Sequence, residues 1–299
     1  MQSFSRGWQF LKQAWQMASA DKDLIKPSIY TLFAGAVVSI IGIIPIALLA
    51  MLFGNAGFGG QVVIYLGGAL LVFAEFIVSY IFSAMTVYLI YGYLSEGDGR
   101  MDKAWEIVKR DLFDLATLAA ASTAVNAVKN FVKGSGNKSG RNFLAGLIDT
   151  IWTEASYLIL PAMVIEDINL KDGIKRASQI VQDNLLLVGI STVGVKAVTG
   201  LIGFLLGLVG AVLGGGLGYG IVFLTGGLNV TTVTPGLVIG IVVGLLVFFL
   251  FVMIATVIGR YTVTAYHTCL YLWARDIETS DAPAQSISAP APLAAVLDL

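Results

Sequence analysis

Cysteine and histidine are nearly missing: Cys269 and His267 are the single examples in 299 residues. One cysteine excludes a disulfide within the chain, and no His/Cys cluster has the spacing of a zinc or haem site, so neither metal nor cofactor is expected. Charge is scarce at 12% and almost balanced, 18 basic residues against 19 acidic. That gives no general pull toward nucleic acid. No P-loop, HExxH or GxSxG pattern occurs, so no catalytic residues are assigned and a non-enzymatic role is expected.

What the chain has in abundance is apolar surface, with 57% of its residues hydrophobic. A soluble core does not hide that much. Crossing about 30 Å of hydrocarbon takes roughly 20 residues of helix. Four segments pass clearly: Ile29 to Phe53, Val62 to Leu94, Leu185 to Leu213 and Gly236 to Ile258. The first, following basic residues, reads as a retained anchor and not a cleaved signal. Two others, Leu112 to Val132 and Phe143 to Ile165, have the length but are interrupted by Asp114, Asn126, Lys129, Asp149 and Glu154. The expected fold is therefore all-α, a polytopic transmembrane helical bundle of about six hydrophobic segments. Its expected parts are a cytoplasmic amphipathic helix over 1–28, a transmembrane domain over 29–275 and a disordered, Ala/Pro/Ser-rich cytoplasmic tail over 276–299.

Orientation follows from Lys and Arg, which stay cytoplasmic. They precede the first segment (Arg6, Lys12, Lys22, Lys26), follow the second (Arg100, Lys103, Lys109, Arg110) and precede the fifth (Lys171, Lys175, Arg176); loops 54–61 and 214–235 have none. Both termini are expected in the cytoplasm of a prokaryotic inner or plasma membrane. The group Lys129, Lys133, Lys138 and Arg141 leaves two arrangements open: six spans, or four spans with the weak pair re-entrant or interfacial. The Gly216 to Gly220 string reads as part of a flexible outer loop. The spacing Gly200, Gly203, Gly207, Gly210, Gly214 suits close helix packing, within the chain or in a homo-oligomer.

A looser regularity recurs three times: polar, helix-patterned sequence, an Asp, then an apolar run. It passes through Lys22-Asp23-Leu24, Arg110-Asp111-Leu112 and Asp183-Asn184-Leu185. Three units of interfacial helix plus hydrophobic hairpin are expected. In the first, Phe4, Trp8, Leu11 and Trp15 form a stripe of helical period. Trp8, Trp15 and Trp105, with Lys and Arg beside them, suit anchoring at an anionic lipid interface.

Two ionisable residues stand deep inside apolar runs, Glu75 and Lys196. Each isolated charge there costs on the order of 2.5 to 3.5 kcal/mol, so a Glu75–Lys196 pair is expected, structural in the first reading and part of a transport path in the second. Asp149 and Glu154 are about 140° apart on a helix and do not form a carboxylate pair.

The order of features between Ile81 and Ile190 is also distinctive. It runs through Ile81-Phe82-Ser83-Ala84-Met85, then Glu96-Gly97-Asp98-Gly99 with Asp102-Lys103-Ala104-Trp105. Trp152 to Leu160 leads into Pro161-Ala162-Met163-Val164-Ile165-Glu166-Asp167, and Gly173-Ile174-Lys175-Arg176-Ala177-Ser178 closes the series. In this the chain resembles an uncharacterised family of prokaryotic integral membrane proteins, a domain of unknown function. The resemblance implies a six-segment helical membrane domain and carries no activity. From the sequence, then, the expected role is membrane organisation or scaffolding with the lipid bilayer, anionic lipids and another membrane protein or a second copy as partners; the alternative is a transporter or channel.

Overall fold

The computed structural model describes residues 2–53, 57–134, 138–183, 185–225, 234–279 and 288–297. It is 94% helical. The elements are α1 (Gln2–Ala20), a 3₁₀ turn (Lys22–Leu24), α2 (Lys26–Phe53), α3 (Gly57–Glu96), α4 (Met101–Arg110), α5 (Leu112–Gly134), α6 (Lys138–Glu166), α7 (Leu170–Asp183), α8 (Leu185–Leu224), α9 (Pro235–Thr279) and α10 (Ala291–Leu297). The order is threefold: α1 leads into the hairpin α2/α3, α4 into α5/α6, and α7 into α8/α9. Among the described residues five helices are long and apolar enough to cross a membrane, those containing α2, α3, α6, α8 and α9, which makes this a multi-pass membrane protein. The remaining hairpin arm, α5, carries Asp114, Lys129 and Lys133.

Helices α3, α8 and α9 have 40, 40 and 45 residues. At 1.5 Å per residue they run about 60 to 68 Å, twice the thickness of a hydrocarbon layer. Burial divides α3 and α9 accordingly. On α9, Val238, Ile241, Leu246 and Phe249 are exposed, whereas Tyr261, Tyr266, Cys269 and Leu270 are wholly buried. On α3, Tyr65, Leu66 and Leu70 are exposed and Ala84 to Ile90 is packed. Helices α3 and α9 therefore run from an exposed apolar part into a packed part, where they continue among the amphipathic helices.

Helix α1 belongs to that packed layer. Its buried face is Gly7, Phe10, Leu11, Ala14, Met17 and Ala18, so the helical period expected for it holds but the phase is shifted. Phe4 and Trp8 stay exposed, while Trp15 turns edge-on to Tyr261 at 5.9 Å. Trp15 is thus a packing residue and not an interface anchor; Trp8 and Trp105 remain exposed, at 46% and 40%. The shift has a cause: the smaller residues let α1 lie flat on α8 and α9, with Tyr261 Oη donating to the Ala14 carbonyl at 2.9 Å.

The apolar stretch 214–224 is helical, not a loop; residues 226–233 lie outside the described residues. Backbone in an apolar layer has no water to bond, and continuing the helix satisfies it. The tail also departs from expectation. Residues 276–279 prolong α9, and Ala289 and Leu293 bury themselves in the core beside α1; 280–287 lie outside the described residues. Two bonds to the Pro290 carbonyl, from Leu293 and Ala294, start α10 where composition alone suggested disorder. Leu293→Ala is expected to lower stability by about 2 kcal/mol; thermal melts of the detergent-solubilised protein measure it, and an unchanged melt would mean that α10 contributes nothing.

Where the three units meet, acids fix the joints. Asp21 caps the 3₁₀ turn and accepts from Gly99 N at 2.7 Å, tying α1 to the turn after α3. That turn needs Gly97, whose φ of 80° ends α3 in the left-handed region. Arg110 grips Asp111 through two bonds of 2.6 and 3.0 Å at the α4/α5 joint. Burial nevertheless pushes the Asp111 carboxyl up from its ordinary range. Arg176 on α7 reaches Glu166 at 3.2 Å and also Glu278, fastening α7 to the ends of α6 and α9.

Candidate functional site

Three ionisable side chains from three helices converge where the apolar layer meets the packed one. Lys196 of α8 is ion-paired with Glu154 Oε1 of α6, and His267 Nε2 of α9 lies 3.2 Å from Glu154 Oε2. The imidazole is held on every side: Tyr157 stacks on it at 4.7 Å and Tyr266 meets it edge-on at 5.2 Å. Its Nδ1 is 2.8 Å from the Val263 carbonyl. A carbonyl only accepts, so this contact is made with a hydrogen on Nδ1, which turns Nε2 toward Glu154 Oε2.

The expected Glu75–Lys196 pair is not formed. Glu75 accepts from Ser39 Oγ of α2 at 2.5 Å, inside its own hairpin, and Gly35 leaves it room, since a β-carbon there would come within 3.3 Å of its oxygen. Lys196 sits near the packed end of α8, beside buried Val195 and Val198, where Glu154 is the acid at hand. Asp149 and Glu154 do face different partners: Asp149 bridges Lys129 of α5 at 2.7 Å.

Beyond Tyr157 opens a polar chamber of about 270 Å³ between α3, α5, α6 and α9. Half of its lining residues carry hydroxyls. Ser122 Oγ accepts from Trp152 Nε1 at 2.9 Å and is 2.6 Å from Tyr80 Oη. Arg260 donates to Ser79 Oγ at 3.2 Å, so Ser79 keeps its own hydrogen to give. The Lys129–Asp149 bridge borders the same space, and Tyr157 stands between it and His267. On the other side of α6, a mainly apolar cavity of about 490 Å³ has Glu154 and His267 in its wall.

Sequence reasoning did not single out His267, Arg260 or the hydroxyl chamber. A lone His and an Arg at the end of a long apolar run were the available signals for the first two. For the chamber, the signal was the weakness of segments five and six as spans. Ser122, Asn126 and Lys129 recur at helical spacing on α5, as do Asp149, Trp152, Thr153 and Ser156 on α6. Two polar faces were present, and they meet. Comparison with protein-family models, with curated proteins and with solved structures finds no match.

Proposed function

We propose that this is a non-enzymatic membrane-organising protein, in which three bilayer-embedded hairpins carry a packed helical platform at the cytoplasmic surface of a prokaryotic inner or plasma membrane. The observation that carries the reading is the division of α3 and α9 into an exposed apolar half and a packed half, with amphipathic α1, α4 and α7 beside the packed halves. Exposed Trp8 and Trp105 and the basic residues around them suit contact with anionic lipid. The resemblance to a membrane family without assigned chemistry agrees with it. The α5/α6 hairpin, packed on α3, completes six spans in this reading, and the Lys129–Asp149 bridge offsets part of the charge at its outer end.

The first test is topology, in a Cys269→Ser background. An impermeant thiol reagent on intact cells is expected to reach a cysteine at position 57 and to spare one at 103; the opposite pattern refutes the arrangement. The second is flux. Proteoliposomes are expected to show no protein-dependent proton or solute movement, and such movement would favour a transporter instead. That second reading has its own support in the cluster of Lys196, Glu154 and His267 near a chamber bordered by Lys129, Asp149 and Arg260.

A further inference from the structure

The three hairpins do not reach equally far. Hydrogen bonds set their register at one level: Tyr80 of α3 lies 2.6 Å from Ser122 of α5, Ser122 accepts from Trp152 of α6, and Arg260 of α9 donates to Ser79 of α3. From that level α3 continues 23 residues to Gly57 and α9 continues 25 to Pro235, about 35 and 38 Å at 1.5 Å per residue. The middle hairpin stops sooner. Helix α5 continues 12 residues from Ser122 to Gly134, and α6 begins at Lys138, 14 residues before Trp152, which gives about 18 and 21 Å. Both therefore end roughly 15 Å short of the outer ends of α3 and α9. Tilting α5 and α6 would only shorten their reach.

The shortfall has a consequence in a bilayer. Beside the Tyr80 level stand the rings of Phe82, Tyr30 and Trp105, with Phe82 at 6.0 and 6.3 Å from the other two, and such rings collect at the headgroup level. A flat hydrocarbon layer of about 30 Å starting there would extend about 10 Å past the ends of α5 and α6. The residues at those ends are basic: Lys133 closes α5, Lys138 opens α6 and Arg141 follows within a turn. No acid stands between Asp114 and Asp149 in the chain, and Asp149 is taken up by Lys129. Lys133 is exposed, and Arg141 Nη1 is buried without a hydrogen-bond partner among the described residues. Cations without a counter-charge are costly in hydrocarbon, and snorkelling along one stem recovers only part of that depth.

The neighbouring face of α3 fits a polar surrounding at the same height. Between Gly57 and Glu75 its polar side chains are Gln61 and Tyr65, four residues apart and so on one face. Tyr65 lines a cavity of about 870 Å³ that begins beside Asn126 and Ala127 of α5 and follows α3 outward to Val62, beyond the level of Gly134. The two polar residues thus stand over the short hairpin. A hydrophobic element shorter than the bilayer is accommodated by local thinning, and basic residues at its end take phosphate oxygens as counter-charge.

We infer that the bilayer is about 10 Å thinner over the α5/α6 hairpin than around the other two, because phosphates of outer-leaflet phospholipids descend onto Lys133 and Arg141 beside Gln61 and Tyr65. This gives the proposed organising function a physical action, thinning from one side, and it rests on that reading for which leaflet descends.

The test uses the full chain in a Cys269→Ser background, in vesicles of phosphatidylcholine with a minor share of phosphatidylglycerol, with a nitroxide at Gly140→Cys or at Leu246→Cys. By register both positions lie about 20 Å beyond the Tyr80 level. Leu246 is on the exposed face of α9, and a β-carbon at 140 meets nothing within 4 Å. With a water-soluble nickel chelate on both sides of the membrane, collisions should be about tenfold more frequent at 140 than at 246, since the chelate is excluded from hydrocarbon. Changing Lys133→Gln and Arg141→Gln together should bring the two positions to near parity. Equal dryness of 140 and 246 in the parent chain would overturn the inference, and so would equal wetness, which would place both outside the hydrocarbon. A dry 140 with spin coupling between copies would give the space over the hairpin to a second copy and overturn it as well. A ratio unmoved by the paired glutamines would remove the phosphates as its cause. Accessibility at positions 57 and 103 is measured alongside: a reversed topology undoes the proposed function and leaves the ratio, whereas a lost ratio with the expected topology undoes this inference alone.

Discussion

Glu154→Gln is expected to lower the stability of the detergent-solubilised protein by about 3 kcal/mol, the low end of what breaking a buried ion pair costs, because Lys196 is 39% exposed at its side chain. The loss falls mainly on Lys196. A glutamine at 154 keeps a polar group against His267 Nε2, whereas the ammonium loses its counter-charge. Adding Lys196→Met should therefore return most of the stability. Lys196→Met alone should cost only about 1 kcal/mol, since the Glu154–His267 contact remains. Melts of the four proteins give the coupling, and additivity of the two single effects would rule out the contact. Glu75→Gln is the comparison: an amide can still accept from Ser39, so the change there should stay below about 1 kcal/mol.

The contrast between those two acids shows what was legible beforehand. Hydropathy places Glu75 and Lys196 at similar depth, and that much is a property of position along each helix. Which residue meets which is a property of azimuth and of which helices pack, and neither is written in a run of apolar residues with no polar stripe to orient it. For α3 the partner that matters is its own hairpin arm, through Ser39; for α8 it is the end of α6. The order of elements was readable because each hairpin is preceded by an amphipathic stretch and an Asp. The phase of α1 was not: large aromatics outweigh glycine and alanine in any hydrophobic stripe, yet Gly7, Ala14 and Ala18 are what allow close contact with α8 and α9.

The same preference for large residues hides the chamber. Asn126, Lys129 and Asp149 count against α5 and α6 as spans in a hydropathy reading, yet they line the chamber between the two helices. Composition likewise conceals α10, because Ala and Pro read as unstructured until Leu293 is placed against Phe10 and its neighbours in one core. In both places the sequence holds the residues, and only the packed partner gives them a role.

Gly214→Ala, the addition of one methyl group, is expected to destabilise the α8/α9 hairpin by about 3 kcal/mol, although alanine is the better helix former. A β-carbon at 214 would overlap the Gly244 carbonyl oxygen and come within 3.2 Å of Phe248 N. These are backbone atoms of a facing helix, so no side chain can turn aside and the helices must part. The approach is mutual: a β-carbon at 244 would lie 2.8 Å from the Gly214 oxygen, one at 218 would lie 2.7 Å from the Gly240 oxygen, and one at 240 would lie 2.6 Å from the Gly218 oxygen. Parting one contact therefore loosens the others, and the apolar layer offers little hydrophobic drive to restore them, since lipid chains are as apolar as the helices. Gly215 provides the control. A β-carbon there meets nothing within 4 Å, so Gly215→Ala has only the gain in helix propensity, up to about 1 kcal/mol. The two neighbouring alanines should shift the melting temperature in opposite directions, and a shift of the same sign and size in both would show that the glycines serve flexibility and not contact.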